Sequence, residues 1–169
     1  MILPLQSYVQ QSRHTVKKWL LDPRIHIASR AAACFIAGLL LSAASLTHRP
    51  LPLAMGFVCA LGSWSSALAA LGSIIGYRLF WNEPQCIVWV VSGLVLAWTL
   101  GGKKLARDAP LLLCAAAALT TALCGILFQT LYADTSPIHI FLVRVALAGG
   151  SSFLYKKALD GRNPLVDWL

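Results

Sequence analysis

The side chains able to do chemistry are few and far apart. His14, His26, His48 and His139 each lack a second ligand at metal spacing, and no H-E-x-x-H occurs. Gly101-Gly102-Lys103-Lys104 sets lysines after glycines without the full P-loop spacing, so it reads as a helix stop and a charge anchor. Serine is plentiful, but no G-x-S-x-G elbow accompanies it. The acidic residues, Asp22, Glu83, Asp108, Asp134, Asp160 and Asp167, all avoid the depths of the apolar runs. Proton-coupled transport usually needs a carboxylate inside a span, so it is disfavoured. Cys34, Cys59, Cys86, Cys114 and Cys124 form no C-x-x-C pair, which argues against a disulfide framework or a zinc site. Four of them lie in apolar runs as small hydrophobes, while Cys86, beside Glu83 and Pro84, stands where it could be accessible. The inventory predicts no catalytic residue, no metal and no cofactor.

One charge invites a functional reading. Arg144 lies inside the apolar run Ile138–Leu159. About nine strongly apolar residues at roughly −0.5 kcal/mol each give about −4 kcal/mol, against roughly +2.5 to +3.5 kcal/mol for a central arginine. Gly149, Gly150, Ser151 and Ser152 weaken the segment further. Insertion is then marginal without partner helices, so Arg144 is expected to face a bundle interior or a wet crevice near Glu83, Asp134 or Tyr77. It would bind an anion there, or serve structurally by snorkelling or pairing with Glu83; the structural role is favoured. Arg78 is a similar case nearer the interface.

These residues must be positioned by apolar elements. The chain has 169 residues, 58% hydrophobic and 12% charged, with a net charge of +8. That charged fraction is about half that of a soluble domain. The charges cluster at Arg13–Arg24, Lys103–Asp108 and Lys156–Asp167, with apolar runs between them. This is the pattern of an all-α, polytopic helical bundle in a membrane, with basic residues acting as topology signals and anionic-lipid contacts instead of nucleic-acid ligands. Residues 1–24 read as an amphipathic basic segment, with Leu5, Tyr8, Val9, Val16, Trp19 and Leu20 at helical spacing. Residues 25–159 read as the membrane domain and 160–169 as a tail. The first span, Ile25–Leu46, resembles a signal peptide, but its long basic region and the spans that follow argue against cleavage.

The organising stretch is Leu51–Trp81. It is too long for one span and too short for two full ones. It therefore predicts a hairpin of two short helices, Leu51–Leu61 and Ala67–Phe80, joined by a polar turn at Gly62–Ser66. Gly72 and Gly76 on the second arm, and Gly38 and Ser42 on the first span, are the expected close-packing positions. Spans Cys86–Leu100, Pro110–Leu131 and Ile138–Leu159 follow. With the hairpin dipping in and returning, nearly all basic charge falls on one side. Six segments with both termini cytoplasmic satisfy the positive-inside rule.

Pro50–Leu61, PLPLAMGFVCAL, followed by Ala67–Trp81, ALAALGSIIGYRLFW, resembles the membrane region of the stage II sporulation protein E family. Pro52-Leu53-Ala54 stands where that family has a Pro-Phe-Gly-like start. Gly76-Tyr77-Arg78-Leu79 matches its Gly-Tyr-Leu-Leu-like tetrad, and Phe141–Leu159 its small-residue-rich last segment. The resemblance covers roughly Phe35–Leu159. Ala43-Ala44 stand where an arginine is expected. The family's full-length members carry further spans, a linker and a metal-dependent phosphatase domain; the sequence to Leu169 contains none of these, so neither that activity nor its metal carries over. The resemblance implies a non-enzymatic scaffold in a bacterial inner membrane. It would contact anionic lipids, self-associate, and recruit division or sporulation membrane proteins. The rival expectation is a small transport subunit similar to the substrate-capture proteins of energy-coupling-factor transporters, with Tyr77, Arg78, Glu83 and Arg144 around an outward anion site.

Overall fold

The computed structural model describes residues 23–61, 63–101, 110–132 and 137–160, and is all-helical apart from one two-residue strand pair. Residues 1–22 of the amphipathic segment expected at 1–24, the basic cluster at Lys103–Asp108, Asp134 and residues 161–169 of the tail lie outside the described residues. The elements are α1 (Pro23–Ser42), β1 (Ser45–Leu46), β2 (Arg49–Pro50), α2 (Leu53–Ala60), α3 (Ser63–Phe80), α4 (Pro84–Leu96), α5 (Pro110–Tyr132) and α6 (Ile138–Asp160). A π-helical turn, Ala97–Gly101, prolongs α4.

α4 follows a proline: Glu83 caps it in extended conformation and Pro84 stands in its first turn, where a missing N–H costs nothing. α1 stops at Ser42, four residues short of the expected Leu46. Ser45–Leu46 is instead drawn into an antiparallel pair with Arg49–Pro50, in register Ser45 with Pro50 and Leu46 with Arg49. The two-residue loop carries Thr47 at φ 50° and His48 at φ 59°, the pair of left-handed residues a type I′ turn demands. Beyond the end of α3 at Phe80, Asn82 is also left-handed at φ 52°, with the Trp81 and Asn82 amides both donating to the Tyr77 carbonyl.

The expected short hairpin is unequal. Its first arm, α2, has 8 residues and a rise of only ~12 Å. Its second arm starts at Ser63, not Ala67, and runs 18 residues, or ~27 Å. Ser63-Trp64-Ser65-Ser66, read as turn, is the first turn of α3. Serine is well suited to a helix start, and Ser65 and Ser66 are buried there.

α2 is the hub: it packs against all five other helices. Every residue from Ala54 to Ala60 is buried. Around it the other helices form an incomplete ring in which α1 packs on α3, α3 on α4, α4 on α5 and α5 on α6. α1 and α6 make at most marginal contact with each other.

Contacts between elements set the helix directions. Gly38 lies against Ala69 and Ser73, and Gly76 against Ser42, so α1 and α3 are parallel. Pro50 meets Arg144, Gly56 meets Ser151 and Ser152, and Phe57 meets Tyr155, so α2 and α6 are parallel. Gly125 faces Phe141 and Gly149 faces Cys114 and Ala118, so α5 and α6 are antiparallel. Consecutive helices thus alternate in direction, and the start of α1 lies at the same end of the bundle as the end of α6.

The clamp on the Pro50–Pro52 backbone

Between β2 and α2 the chain passes through the core as non-helical backbone. Pro50 and Pro52 are fully buried and Leu51 is nearly so. A buried, non-helical backbone needs partners for each polar group. Two of these three residues are prolines and bring no N–H donor. The Leu51 amide donates to the Ala44 carbonyl at 3.0 Å. The Pro52 carbonyl accepts from the Gly56 amide at 3.3 Å, opening α2. The two remaining carbonyls are served by side chains. Tyr77 donates its hydroxyl to Leu51 O at 2.6 Å, and Arg144 donates Nε to Pro50 O at 3.2 Å.

Trp89 of α4 completes the site. The Arg144 guanidinium lies over its ring, 5.2 Å from the centroid. Its ring and that of Tyr77 meet edge to face at 6.5 Å. Such a cation–ring contact offsets part of the cost of taking a cation out of water. Trp89 and Tyr77 have no exposed surface and Arg144 is 3% exposed. The indole N–H of Trp89 has no hydrogen-bond acceptor among the described residues. Three helices, α3, α4 and α6, therefore each send one side chain to the entry of α2.

The other expected site residues are placed as follows. Arg78, adjacent to Tyr77, is exposed, and Glu83 is half-buried at the start of α4. Arg78 is thus not brought to the Arg144 cluster. Cys86, expected to be accessible, has no exposed surface, because it falls on the core face of α4 one turn before Trp89. Gly38, Ser42, Gly72 and Gly76 meet in one place, the α1–α3 seam. A Cβ on Gly72 would collide with the Phe35 carbonyl oxygen, one on Gly76 with the Ser42 hydroxyl, and one on Gly38 with the Ala69 carbonyl. These positions are consumed by packing within the chain. The same seam is tied at its end by Trp81, whose Nε1 donates to the Ser42 carbonyl at 3.0 Å.

Pro50 and Trp89 were missed as partners of Arg144. A backbone carbonyl leaves no residue-type signature, so only the Pro50-x-Pro52 spacing hinted that this segment had unsatisfied acceptors and few donors. Among the described residues no group of His, Cys, Asp and Glu could hold a metal ion.

No protein-family model, curated protein or solved structure matches this chain.

Proposed function

We propose that this chain is a multi-pass, non-enzymatic membrane scaffold, of the kind its resemblance to the stage II sporulation protein E membrane region implies. The observation that carries the reading is an inverted surface. Large apolar side chains point outward from the helices that ring α2, among them Leu40 (64%), Leu79 (71%), Val95 (56%), Leu111 (70%) and Leu154 (65% exposed). Meanwhile Ser42, Ser66, Ser73, Thr121, Arg144 and Ser152 are buried. A soluble protein rarely leaves so much apolar surface uncovered, whereas a bilayer covers it.

Length agrees. α5 and α6 are long and apolar enough to cross a membrane. α1 has 20 residues and α3 has 18, rises of ~30 and ~27 Å, which match a hydrocarbon core of ~30 Å. α2 is too short to cross and is wrapped by protein on all sides, the condition under which a broken helix is tolerated at membrane depth. In this reading α2 enters from the side where α1 leaves, and α3 crosses back. The bundle sits in a bacterial inner membrane with both termini cytoplasmic.

The scaffold reading is supported by what the buried polar groups do. Arg144, Tyr77 and Trp81 donate to backbone carbonyls of other elements and so hold those elements together, while Ser42, Ser73 and Thr121 donate to carbonyls one turn back in their own helices. The test is a mild-detergent pull-down of the tagged full chain from native membranes that have first been washed with alkaline carbonate. Retention after the wash, with division or sporulation membrane proteins or further copies of the chain recovered, supports the reading. Release by carbonate overturns the membrane assignment. Recovery of an ATPase pair with a coupling subunit overturns the scaffold assignment.

A further inference from the structure

We propose that Trp64 and Trp98, with Arg30 and Lys157, form an interfacial band that seats one end of the bundle in the headgroup layer of a bilayer containing anionic lipid. The inference rests on the membrane reading above and fixes the depth at which the bundle sits.

Four helices bring these side chains to one level. Phe57 of α2 meets Tyr155 of α6, and Gly93 of α4 faces Met55 and Cys59 of α2, so α4 and α6 both run alongside α2 toward its C-terminal end. Lys157 lies two residues beyond Tyr155, Trp98 five beyond Gly93, and Leu61 four beyond Phe57. α3 starts at Ser63, so Trp64 stands at this end too, and the π-helical turn that carries Trp98 packs on both α2 and α3. α1 is tied to α3 where Gly72 meets the Phe35 carbonyl. Counting back from that contact, Arg30 is five residues away and Trp64 eight, which sets their levels only ~5 Å apart.

All four side chains face outward. Trp64 is 85% exposed and Trp98 61%, and Arg30 and Lys157 are exposed as well. Deeper along the same outward faces the exposed side chains are aliphatic. Leu71 lies two turns beyond Trp64 on α3, and Val91 and Val95 precede Trp98 on α4. An indole joins a large apolar ring to one N–H donor, which suits the boundary where hydrocarbon gives way to ester and phosphate. Arginine and lysine at the same level can extend their apolar stems along the bundle and place their charge among anionic headgroups. A protein partner would cover one side of the bundle, whereas these residues come from helices spread around α2; a lipid surface meets them all at once. The start of α1 and the end of α6 lie at this end, so the band belongs to the cytoplasmic leaflet. Trp89 lies nine residues before Trp98, ~14 Å deeper along α4, which puts its contact with Arg144 near the middle of a ~30 Å hydrocarbon core.

The test is quenching of tryptophan fluorescence in the full chain, reconstituted into vesicles of phosphatidylcholine and phosphatidylglycerol. One set of vesicles carries a spin label on the lipid headgroup, the other a spin label near the end of the acyl chain. The emission of Trp64 and Trp98 is isolated as the difference between the full chain and its Trp64→Phe/Trp98→Phe variant. The headgroup label is expected to quench that difference at least about two-fold more than the chain-end label. Equal quenching, stronger quenching by the chain-end label, or protection from both overturns the proposal. A second comparison uses no fluorescence. Trp64→Lys should remain in carbonate-washed membranes at the yield of the unmodified chain, whereas Leu71→Lys, ~10 Å deeper on the same face, should lose most of its yield. Equal yields from these two variants overturn the assigned depth. Release of the unmodified chain by alkaline carbonate fails the membrane reading itself, and that outcome is visible before any quenching is measured.

Discussion

Arg144 and Pro50 stand ninety-four residues apart in sequence, yet the Nε of one donates to the carbonyl oxygen of the other at 3.2 Å. The contact joins α6 to the segment that opens α2. It explains how a cation can be placed in the core of an apolar bundle: the arginine serves an acceptor that no backbone donor reaches, and its flat face is covered by Trp89.

Replacing Arg144 should therefore destabilise the fold. In Arg144→Ala the Pro50 carbonyl loses its side-chain donor, which costs ~1–3 kcal/mol, and the desolvated contact with Trp89, worth up to ~2 kcal/mol, disappears. A net loss of about 3 kcal/mol is expected, measured as a shift in reversible denaturant unfolding in mild detergent. Arg144→Lys should recover less than half, because an ammonium lacks the planar face and the Nε donor. Full recovery by lysine would show that charge alone matters.

Tyr77 acts on the next carbonyl along. Tyr77→Phe removes the 2.6 Å bond to Leu51 O but keeps the ring against Trp89. A loss of about 1–2 kcal/mol is expected. Because Tyr77 and Arg144 grip adjacent carbonyls of one segment, the double variant should lose less than the sum of the two. A double-mutant cycle in the same unfolding assay reads the coupling, and strict additivity would mean that the two residues act independently.

How much of this was legible beforehand depended on the kind of signal. Gly38, Ser42, Gly72 and Gly76 were readable as contact positions, because small residues at helical spacing have one main use in apolar segments. What they contact was not readable: the α1–α3 seam is inside the chain, so a glycine variant tests folding before it tests assembly. The break inside Leu51–Trp81 was legible from length, but its position was not. Three serines and a tryptophan look like a turn, and they form the first turn of α3 because serine suits a helix start and two of the three are buried. Arg144 was expected to face the bundle interior or a wet crevice near Glu83, Asp134 or Tyr77, since an apolar segment carries it poorly otherwise, and it is buried in the bundle. Its acceptor, a peptide carbonyl, could not be read from residue types. The Ser45–Pro50 strand pair was also hidden, for Thr47-His48 lacks the Asn-Gly signal of a type I′ turn.

That last mismatch makes a prediction. Thr47 and His48 both occupy the left-handed region, which costs an L-residue of this kind roughly 1–2 kcal/mol. Thr47→Asn/His48→Gly should stabilise the hairpin by about 1–2 kcal/mol and raise the melting temperature. The gain should be transmitted to the clamp, since Pro50 closes the strand pair and also accepts from Arg144. No gain would show that the turn relaxes to another geometry at little cost.

A matched pair of glycines separates internal packing from open surface. In Gly72→Ala the new methyl meets the Phe35 carbonyl oxygen, carbon and Cα, all backbone atoms of α1 that cannot turn aside. α1 and α3 must move apart along their whole seam, with a cost of about 2–3 kcal/mol for overpacking, and the Trp81–Ser42 bond at its end should weaken too. In Gly150→Ala the methyl meets nothing within 4 Å, and alanine is the better helix former, so stability should be unchanged or rise by up to about 1 kcal/mol. Thermal unfolding of the two variants side by side gives the comparison. If Gly72→Ala is tolerated as well as Gly150→Ala, then α1 does not lie against α3 as closely as its carbonyl contacts imply. If Gly150→Ala is the damaging one, the flank of α6 is already filled by protein.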